Sequence, residues 1–253
     1  MRILAVAMNT YREAVRDKVL YVLLFFAAAT ILGSKALGWI SVGQDSKIVI
    51  DISLAAISVF GALIAIFVGT SLVFKEIDKR TIYTILCRPM HRFEFVLGKF
   101  LGLAMLIGTV TIIMTAVAAV YAKLFGGDIT LTYFWAVLLI YWQLLLITAL
   151  SVLLSSLTSP ILGAIIVFST YVLGHATGIL VDLPAHFEGT LLESIMKAMY
   201  YVLPNLTNFD IRSEAANGVA VTTGYVVWAL VYGTLYASML LALAAITFQD
   251  KDV

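Results

Sequence analysis

Long uninterrupted runs of apolar residues dominate the pattern along the chain. A helix that crosses a bilayer needs about 20 mostly apolar residues, because the hydrocarbon core is roughly 30 Å thick and a helix rises about 1.5 Å per residue. Six stretches satisfy this requirement with almost no charge between their ends: Val19–Leu37, Ile48–Phe74, Phe95–Tyr121, Leu131–Leu157, Pro160–Val181 and Tyr225–Phe248. A transmembrane β-barrel would instead alternate weakly over segments of about ten residues. The pattern therefore predicts an all-α membrane protein with six transmembrane helices.

The composition agrees with this prediction. Hydrophobic residues make up 62% of the 253 residues, 12% are charged, and the mean hydropathy is +1.04. Soluble domains have roughly 45–50% apolar and about 25% charged residues, so a soluble globular domain and a disordered chain are both excluded. The net charge of +1 gives no reason to expect a nucleic-acid partner. The single cysteine, Cys87, excludes a disulfide within the chain and a cysteine metal cluster.

The lysines and arginines are distributed unevenly between the connections. An even number of spans places both termini on one side, and that side carries most of the sixteen basic residues. The opposite side carries only Lys35, Lys47, Lys123, Lys197 and Arg212. Because basic residues are retained on the cytoplasmic side, both termini are predicted to be cytoplasmic.

Residues 1–18 carry a helical pattern of their own ahead of the six-span domain, 19–253. Apolar side chains recur at helical spacing, at Leu4, Ala7, Met8, Tyr11, Ala14 and Val15. Polar side chains fall largely on the opposite side, at Arg2, Asn9, Arg12, Glu13, Arg16 and Asp17. This pattern predicts an amphipathic helix in the cytoplasmic interface, with its apolar face down and its basic groups toward lipid phosphates. The alternative is a basic flank that only sets the topology.

The connection between the second and third spans is the most densely charged segment. Thr81 can cap the start of a short helix, and Pro89 forces its end near Arg88. The apolar residues of this helix share one edge, at Ile82, Ile85 and Leu86. A solvated loop does not need an apolar edge, so the pattern favours a docking surface for another protein. The alternative is a basic loop that only determines topology.

The connection between the fifth and sixth spans, 182–224, is the only long external segment. Glu188–Leu203 has helical spacing, and the dipeptide Pro204-Asn205 then breaks the pattern. Loops of this length inside a compact bundle are usually functional. A lid, a re-entrant hairpin and a platform for a partner all remain open.

Residues that could carry chemistry are scarce. No Gly-x-x-x-x-Gly-Lys-Ser/Thr sequence occurs, so the chain has no phosphate-binding loop of its own. Ionisable groups inside a bilayer commonly mark ion paths or proton relays. Here Asp51 lies near the outer end of the second span, while His175 is expected to be a packed, hydrogen-bonded residue, with a relay as the alternative. Gln143 is expected to form an interhelical hydrogen bond. We therefore expect no enzyme and no cofactor or metal bound by this chain.

The charged connection and its flanks resemble a known family signature. The matching residues are Glu76, Thr81, Leu86, Pro89, Arg92, Gly98 and Lys99. They resemble the pattern of ABC-2 type transporter permeases, which runs acidic–Gly–Thr, two leucines, Pro, Ser–Arg, and Gly–Lys entering the third span. Arg80 stands where the family usually has glycine, and His91 where it often has serine. With the six-span plan, the resemblance covers essentially the whole chain and is closest to the type that includes the nitrous-oxide-reductase maturation permease.

The resemblance implies a fold and a set of roles. The fold would be the ABC-2, type V exporter-like permease fold with an amino-terminal elbow helix, and residues 76–88 would be the coupling helix on a separate ATP-binding subunit. The coupling residues would be Glu76, Asp78, Arg80, Thr81, Ile82, Ile85, Leu86, Arg88, Pro89 and Arg92. The external segment would be a hairpin that closes the top of the pathway, with Pro204 and Asn205 as its gate.

The implied working unit is a homodimer of permease chains with two ATPase chains, in a prokaryotic cytoplasmic membrane. ATP and Mg would bind only in the ATPase subunits, and the transporter would be an exporter. The alternatives are a secondary carrier, which the scarcity of buried charges disfavours, and a membrane platform that docks an extracytoplasmic partner. The apolar lining favours a lipid or a hydrophobic peptide as cargo. The Gly98/Gly102 pair fits either a dimer seam or packing within one subunit.

Overall fold

The computed structural model describes residues 2–38, 45–78, 92–177 and 203–249, and every regular element in these ranges is helical. In chain order the elements are α1 (Arg2–Val15), α2 (Lys18–Gly38), α3 (Asp45–Asp78), α4 (Arg92–Leu124), α5 (Leu131–Leu157), α6 (Pro160–His175), a 3₁₀ turn (Leu206–Phe209), α7 (Arg212–Asn217) and α8 (Thr223–Gln249). We call the end where α3 ends and α4 begins the proximal end. The end where α4 ends and α5 begins is the distal end.

Five of these helices are long and apolar enough to cross a membrane. Their spanning parts are Lys18–Ala36, Ser46–Ser71, Phe93–Leu124, Leu131–Leu157 and Thr223–Thr247. The sixth apolar helix, α6, has 16 residues and is therefore only about 24 Å long. The helix ends at His175, the chain turns at Ala176, and Thr177 is again helical. Residues 178–181 of the predicted span lie outside the described part of the chain.

Helix α5 is the centre of the bundle and packs against α3, α4, α6 and α8. Its fully buried side chains include Leu139, Leu144 and Ile147. Helix α2, by contrast, lies at the edge and leaves large apolar side chains such as Tyr21 and Phe25 exposed. Such exposed apolar faces suit a bundle surrounded by lipid.

Several hydroxyl groups of the central helix α5 are satisfied by the backbone of that helix, whereas the buried hydroxyls of Ser53 and Thr111 have no hydrogen-bond partner within the described residues. On α5, Thr148 donates to the carbonyl of Leu144 at 2.7 Å and Ser151 donates to that of Ile147 at 2.9 Å. Ser155 donates to the carbonyl of Val152 at 2.7 Å. An unpaired polar group costs several kcal/mol in hydrocarbon, roughly, and these local bonds avoid that cost.

Helix α1 packs across the first turns of α4 at two glycines. A Cβ atom on Gly98 would lie 2.7 Å from the Cβ of Val6, and one on Gly102 would lie 2.5 Å from the carbonyl oxygen of Ala7. Of the two roles open for this glycine pair, packing within one subunit is the one the structure contains. The backbones approach this closely because neither glycine has a side chain.

The buried face of α1 differs from the predicted apolar face. Ala7 and Ala14 are fully buried, as is Thr10, which satisfies its hydroxyl by donating to the carbonyl of Val6 at 2.9 Å. Leu4 and Met8 remain exposed. The predicted apolar side is therefore split, because Ala7, Ala14 and the partly buried Tyr11 pack on the bundle while Leu4 and Met8 are exposed.

The distal ends of α2 and α4 are joined by polar and cation–π contacts. The hydroxyl of Tyr121 donates to the carbonyl of Leu32 at 2.6 Å. The Lys35 ammonium lies 3.8 Å from the ring centroid of Phe125, within the range of a cation–π interaction. These contacts link α4 to the edge helix where both helices end.

Candidate functional site

The chain folds back into the distal end of the bundle after the long connection. We call residues 203–217 the return segment, which contains the 3₁₀ turn and α7. Its buried apolar side chains are Leu206, Phe209, Ile211 and Ala215. The segment packs against α3, α5 and α6. It is thus part of the core and not a surface loop.

Two glycines make room for the return segment inside the bundle. A Cβ atom on Gly174 of α6 would lie 2.7 Å from the Cγ of Leu206, and one on Gly233 of α8 would lie 2.9 Å from the Cζ of Phe209. Gly233 is also close to Trp142, because its Cβ would lie 3.0 Å from the Cδ1 atom of that ring. Since Gly233 lies about 15 Å along α8 from its first residue, the return segment enters the bundle deeply.

Asn205 is the centre of a hydrogen-bonded clamp at the start of this segment. Its side-chain oxygen accepts from the Thr177 hydroxyl at 2.9 Å and from the Thr207 backbone N–H at 3.1 Å, which caps the 3₁₀ turn. Its own backbone N–H donates to the Tyr232 hydroxyl at 2.9 Å. The clamp therefore connects the residues after α6, the 3₁₀ turn and α8. The neighbouring Pro204 is buried.

An ion pair lies between the 3₁₀ turn and α7. Arg212 donates from Nη2 to Oδ2 of Asp210 at 2.6 Å and from Nε to Oδ1 at 2.7 Å. Burial alone would raise the pKa of Asp210, but the hydrogen bonds and charge of Arg212 outweigh it, so this pKa lies below its ordinary value of 3.8. The same hydrogen bonding raises the pKa of Arg212. The two-pronged geometry is the strong form of such a pair.

A second polar cluster joins three helices beside the return segment. Gln143 of α5 donates from Nε2 to the hydroxyl of Ser58 on α3 at 3.4 Å, and the same atom lies 3.3 Å from Nε2 of His175. The hydroxyls of Ser58 and Tyr171 are 3.2 Å apart. The prediction of an interhelical hydrogen bond at Gln143 is confirmed, and so is that of a packed, hydrogen-bonded His175.

Charges of the return segment act on this cluster. His175 contributes to lowering the pKa of Asp210, after the larger effects of burial and of Arg212. Asp51 of α3 contributes to raising the pKa of Arg212, after the larger effects of the Asp210 contacts. His175 and Asp51 therefore influence the two charges of the ion pair, although more weakly than Asp210 and Arg212 influence each other. Asp51 itself is exposed.

The structure places the predicted site residues in two separate regions. Pro204 and Asn205 lie in the distal clamp. Glu76 and Asp78 lie in the last turn of α3, and Arg92 is the first residue of α4, at the proximal end. The remaining predicted coupling residues lie outside the described part of the chain: Arg80, Thr81, Ile82, Ile85, Leu86, Arg88 and Pro89. The predicted helix over residues 188–203 also lies outside it, apart from Leu203.

Sequence reasoning missed several residues of the distal site. These are Thr177, Tyr232, Asp210, Arg212, Gly174 and Gly233. The two glycines inside apolar helices were a usable signal, because glycine there often marks a close approach of another segment. The partners of Thr177 and Tyr232 come from parts of the chain about 30 residues away, and no local pattern identifies them.

The long apolar helices define a multi-pass α-helical membrane protein. The sequence model for "ABC-2 family transporter protein" matches residues 4–253. The chain therefore belongs to the ABC-2 transporter family, as a transmembrane permease subunit that is not itself the catalytic one. This confirms the all-α permease fold predicted from the resemblance. No curated protein matches the chain at a significant level.

Proposed function

We propose that the chain is the permease subunit of an ATP-driven exporter. In this proposal, separate ATP-binding subunits dock at the proximal end, while the return segment closes the pathway at the distal end. The observation that carries the proposal is helix α3, which runs unbroken over 34 residues from the distal site to the charged connection. A continuous helix of about 50 Å transmits a rigid-body movement from one end of the bundle to the other.

The proximal end would receive the force. Glu76 and Asp78 end α3 and Arg92 begins α4, so a partner that moves the connection between them moves both helices. The coupling helix, 76–88, would insert into a cleft on the ATPase. Its contact residues would be Glu76, Asp78, Arg80, Thr81, Ile82, Ile85, Leu86, Arg88, Pro89 and Arg92. ATP and Mg would bind in the ATPase and not in this chain.

The distal end would be the gate. Opening it separates Asn205 from Thr177 and Tyr232, and each hydrogen bond contributes about 1 kcal/mol net. Leu206 and Phe209 also leave the spaces beside Gly174 and Gly233. Such a contact set is strong enough to keep the resting state closed and weak enough for an ATP-driven movement to break.

The working unit would be a homodimer of permeases with two ATPases, in a prokaryotic cytoplasmic membrane with both termini inside. Helix α1 would be the elbow helix, and its exposed apolar residues would contact lipid. An apolar or amphipathic cargo, such as a lipid or a hydrophobic peptide, suits a bundle with few buried charges.

Co-purification with the ATPase tests the proposal. Glu76→Arg, and separately the deletion of residues 82–86, should abolish both ATPase assembly and transport. Asp128→Arg is the matched control, because it reverses an exposed acidic residue at the opposite end of the bundle and should change neither. Assembly and transport that survive both proximal changes would refute the coupling assignment. Ion-driven transport by this chain alone in liposomes would favour the secondary carrier instead.

A further inference from the structure

A groove lies between α2 and α4 at the distal end, on the outside of the bundle. Its volume is about 410 Å³, within the usual range of about 300–1,000 Å³ for small-molecule sites. Its apolar lining consists of Leu32, Ala116, Val117, Val120, Tyr121 and Leu124. We propose that this groove binds one anionic phospholipid, with an acyl chain in the groove and the phosphate held by Lys35 and Lys123.

The groove lies apart from the gate proposed above. The return segment packs against α3, α5 and α6, whereas the groove is formed by α2 and α4. The lipid would therefore be a resident one that binds at the edge of the bundle, and it would not be the cargo in the pathway.

The walls of the groove suit a hydrocarbon chain. Tyr121 is the lining residue with a polar side-chain atom, and its hydroxyl donates to the carbonyl of Leu32 at 2.6 Å. Because Leu32 also lines the groove, this bond connects its two walls. A hydrocarbon chain that enters then meets ring and aliphatic carbon, and it leaves no polar group of the described lining buried without a partner.

One ammonium group is held at the distal end of the groove. Nζ of Lys35 lies 3.8 Å from the ring centroid of Phe125, which is the geometry of a cation–π interaction. The Phe125 ring in turn packs edge-on against the ring of Tyr121, with centroids 4.8 Å apart. The groove lining therefore positions this charge. Since an ammonium has three N–H donors and the ring covers one side of it, donors remain for phosphate oxygens.

A second lysine flanks the groove from α4. Lys123 is exposed and follows the lining residue Val120 by three residues, just as Lys35 follows Leu32 on α2, so each lysine lies about one turn further toward the distal end. Each is the penultimate residue of the membrane-spanning part of its helix. Lipid phosphates are expected at this depth, because the polar headgroups begin where the apolar spans end.

The charges favour an anionic lipid over a zwitterionic one. Asp128 is exposed in the turn after α4. Even if it is counted with Lys35 and Lys123, the three groups sum to one positive charge. Phosphatidylglycerol carries one net negative charge, whereas phosphatidylcholine compensates its phosphate with its own cation. The groove and the lysines together therefore complement a ligand with an apolar tail and an anionic head.

Lipid binding by the purified full chain tests the two lysines. The chain in detergent is titrated with phosphatidylglycerol or phosphatidylcholine, and bound lipid is counted by native mass spectrometry. We expect one tightly bound phosphatidylglycerol. Lys35→Gln and Lys123→Gln should each weaken its binding about fivefold, the effect of one basic residue beside an anionic lipid surface. Lys35→Arg keeps the charge and should retain the affinity. Lys47→Gln is the matched control, because it removes an exposed lysine of the same end that does not line the groove.

A second pair of variants tests the groove without changing any charge. Val120→Trp should weaken phosphatidylglycerol binding about tenfold, which corresponds to about two fewer buried CH₂ groups. Val120 is 62% exposed, so the larger ring fills the groove without entering the core. Leu131→Trp, at a 70% exposed position of α5, is the control and should bind lipid normally. Excess inorganic phosphate should not displace the lipid, because it has no chain to fill the groove.

Four outcomes would overturn the lipid site. They are equal affinity for the two lipids, unchanged affinity in both Lys35→Gln and Lys123→Gln, an equal loss in Lys47→Gln, and displacement of the lipid by inorganic phosphate. A dimer that excludes lipid and that Val120→Trp dissociates would also overturn it, and would assign the groove to a second copy of the chain. Because the measurement involves neither the ATPase nor the gate, it can fail while the proposed exporter function stands, and the reverse also holds.

Discussion

Helix α1 and the return segment both approach the bundle at pairs of glycines, at opposite ends of the molecule. At Gly98 and Gly102 the contacts of α1 are steric, Thr10 bonds only to its own helix, and the hydrogen bond from α1 to α4 between the hydroxyls of Tyr11 and Thr109 is long, at 3.4 Å. At Gly174 and Gly233 the packing is accompanied by the Asn205 clamp, whose bonds cross between segments. The difference shows two ways of attaching a segment. Helix α1 is held mainly by close packing, whereas the return segment is held by close packing together with several short hydrogen bonds to other segments.

The largest loss of stability is expected from filling the space on α4 against which α1 packs. Gly102→Val should prevent α1 from packing, because the backbone oxygen of Ala7 lies 2.5 Å from the new Cβ and cannot move aside as a side chain could. Overpacking of this kind costs about 1–3 kcal/mol, occasionally more. The measurement is thermal unfolding of the purified chain in detergent. Gly33→Ala is the control, because nothing lies within 4 Å of its new Cβ; equal losses in both would contradict this picture.

Filling the space beside Gly174 should displace the return segment and open the proposed gate, while the rest of the fold persists. Gly174→Ala places a Cβ 2.7 Å from Leu206 and 2.9 Å from the carbonyl of Pro204, so the return segment has to shift outward. We expect faster proteolysis of the return segment and a higher ATPase rate without substrate, with a cost of about 1–2 kcal/mol to the closed state. Gly224→Ala, whose nearest neighbour is at 3.8 Å, is the control. Unchanged protease protection in Gly174→Ala would argue against the gate.

Removing the Asn205 clamp should also destabilise the closed state, but by less. Asn205→Ala removes the acceptor of two hydrogen bonds, but the Thr177 hydroxyl can still bond to that of Thr207 at 3.0 Å and Thr207 is exposed, so the cost is about 1 kcal/mol. Tyr232→Phe removes one bond, also worth about 1 kcal/mol. The fraction of molecules with the distal end closed should fall in both variants. It is measured as the distance between spin labels at Val172→Cys and Ser213→Cys in a Cys87→Ser background. Since both changes affect one network, the double variant should lose less than the sum. Strict additivity would show that the clamp is not a unit.

The smallest effect concerns the pH dependence of the ion pair. The pKa of Asp210 lies below 3.8 in the folded protein, so its stabilisation is complete above that pH and is lost only as pH falls through the folded value. In a His175→Gln background, removing both charges with Asp210→Asn and Arg212→Gln should therefore lower the melting temperature equally at pH 5.5 and pH 8. A difference between these pH values would show that another group titrates at the distal site.

The spans were predictable because each depends on a local run of apolar residues. Gln143 was predictable for a similar reason, since an amide inside an apolar helix needs a partner on a neighbouring helix. The turn at Ala176 was not predictable, because the apolar run around His175 continues past it. The contact of Thr177 with Asn205 was missed as well, because the two residues are far apart along the chain. The buried face of α1 was missed for the same reason, because glycines on α4 select small partners such as Thr10.

The proximal and distal sites differ in how they were recognised. The coupling segment was identified by charge, a helix start and a proline, and its role stays a prediction. Pro204 and Asn205 were identified only by resemblance, yet Asn205 makes the bonds that seat the return segment. The ion pair of Asp210 and Arg212 carried no sequence signal, because opposite charges two residues apart are common in any polar connection.

The Lys35–Phe125 and Tyr121–Leu32 contacts have a mechanical consequence. They join α2 to α4 at the distal end, so a movement that separates these two helices has to break both contacts. Helices α6 and α8, by contrast, are bridged at that end by the return segment. If the distal end opens as proposed, we therefore expect α6 and α8 to separate there while α2 and α4 stay in contact.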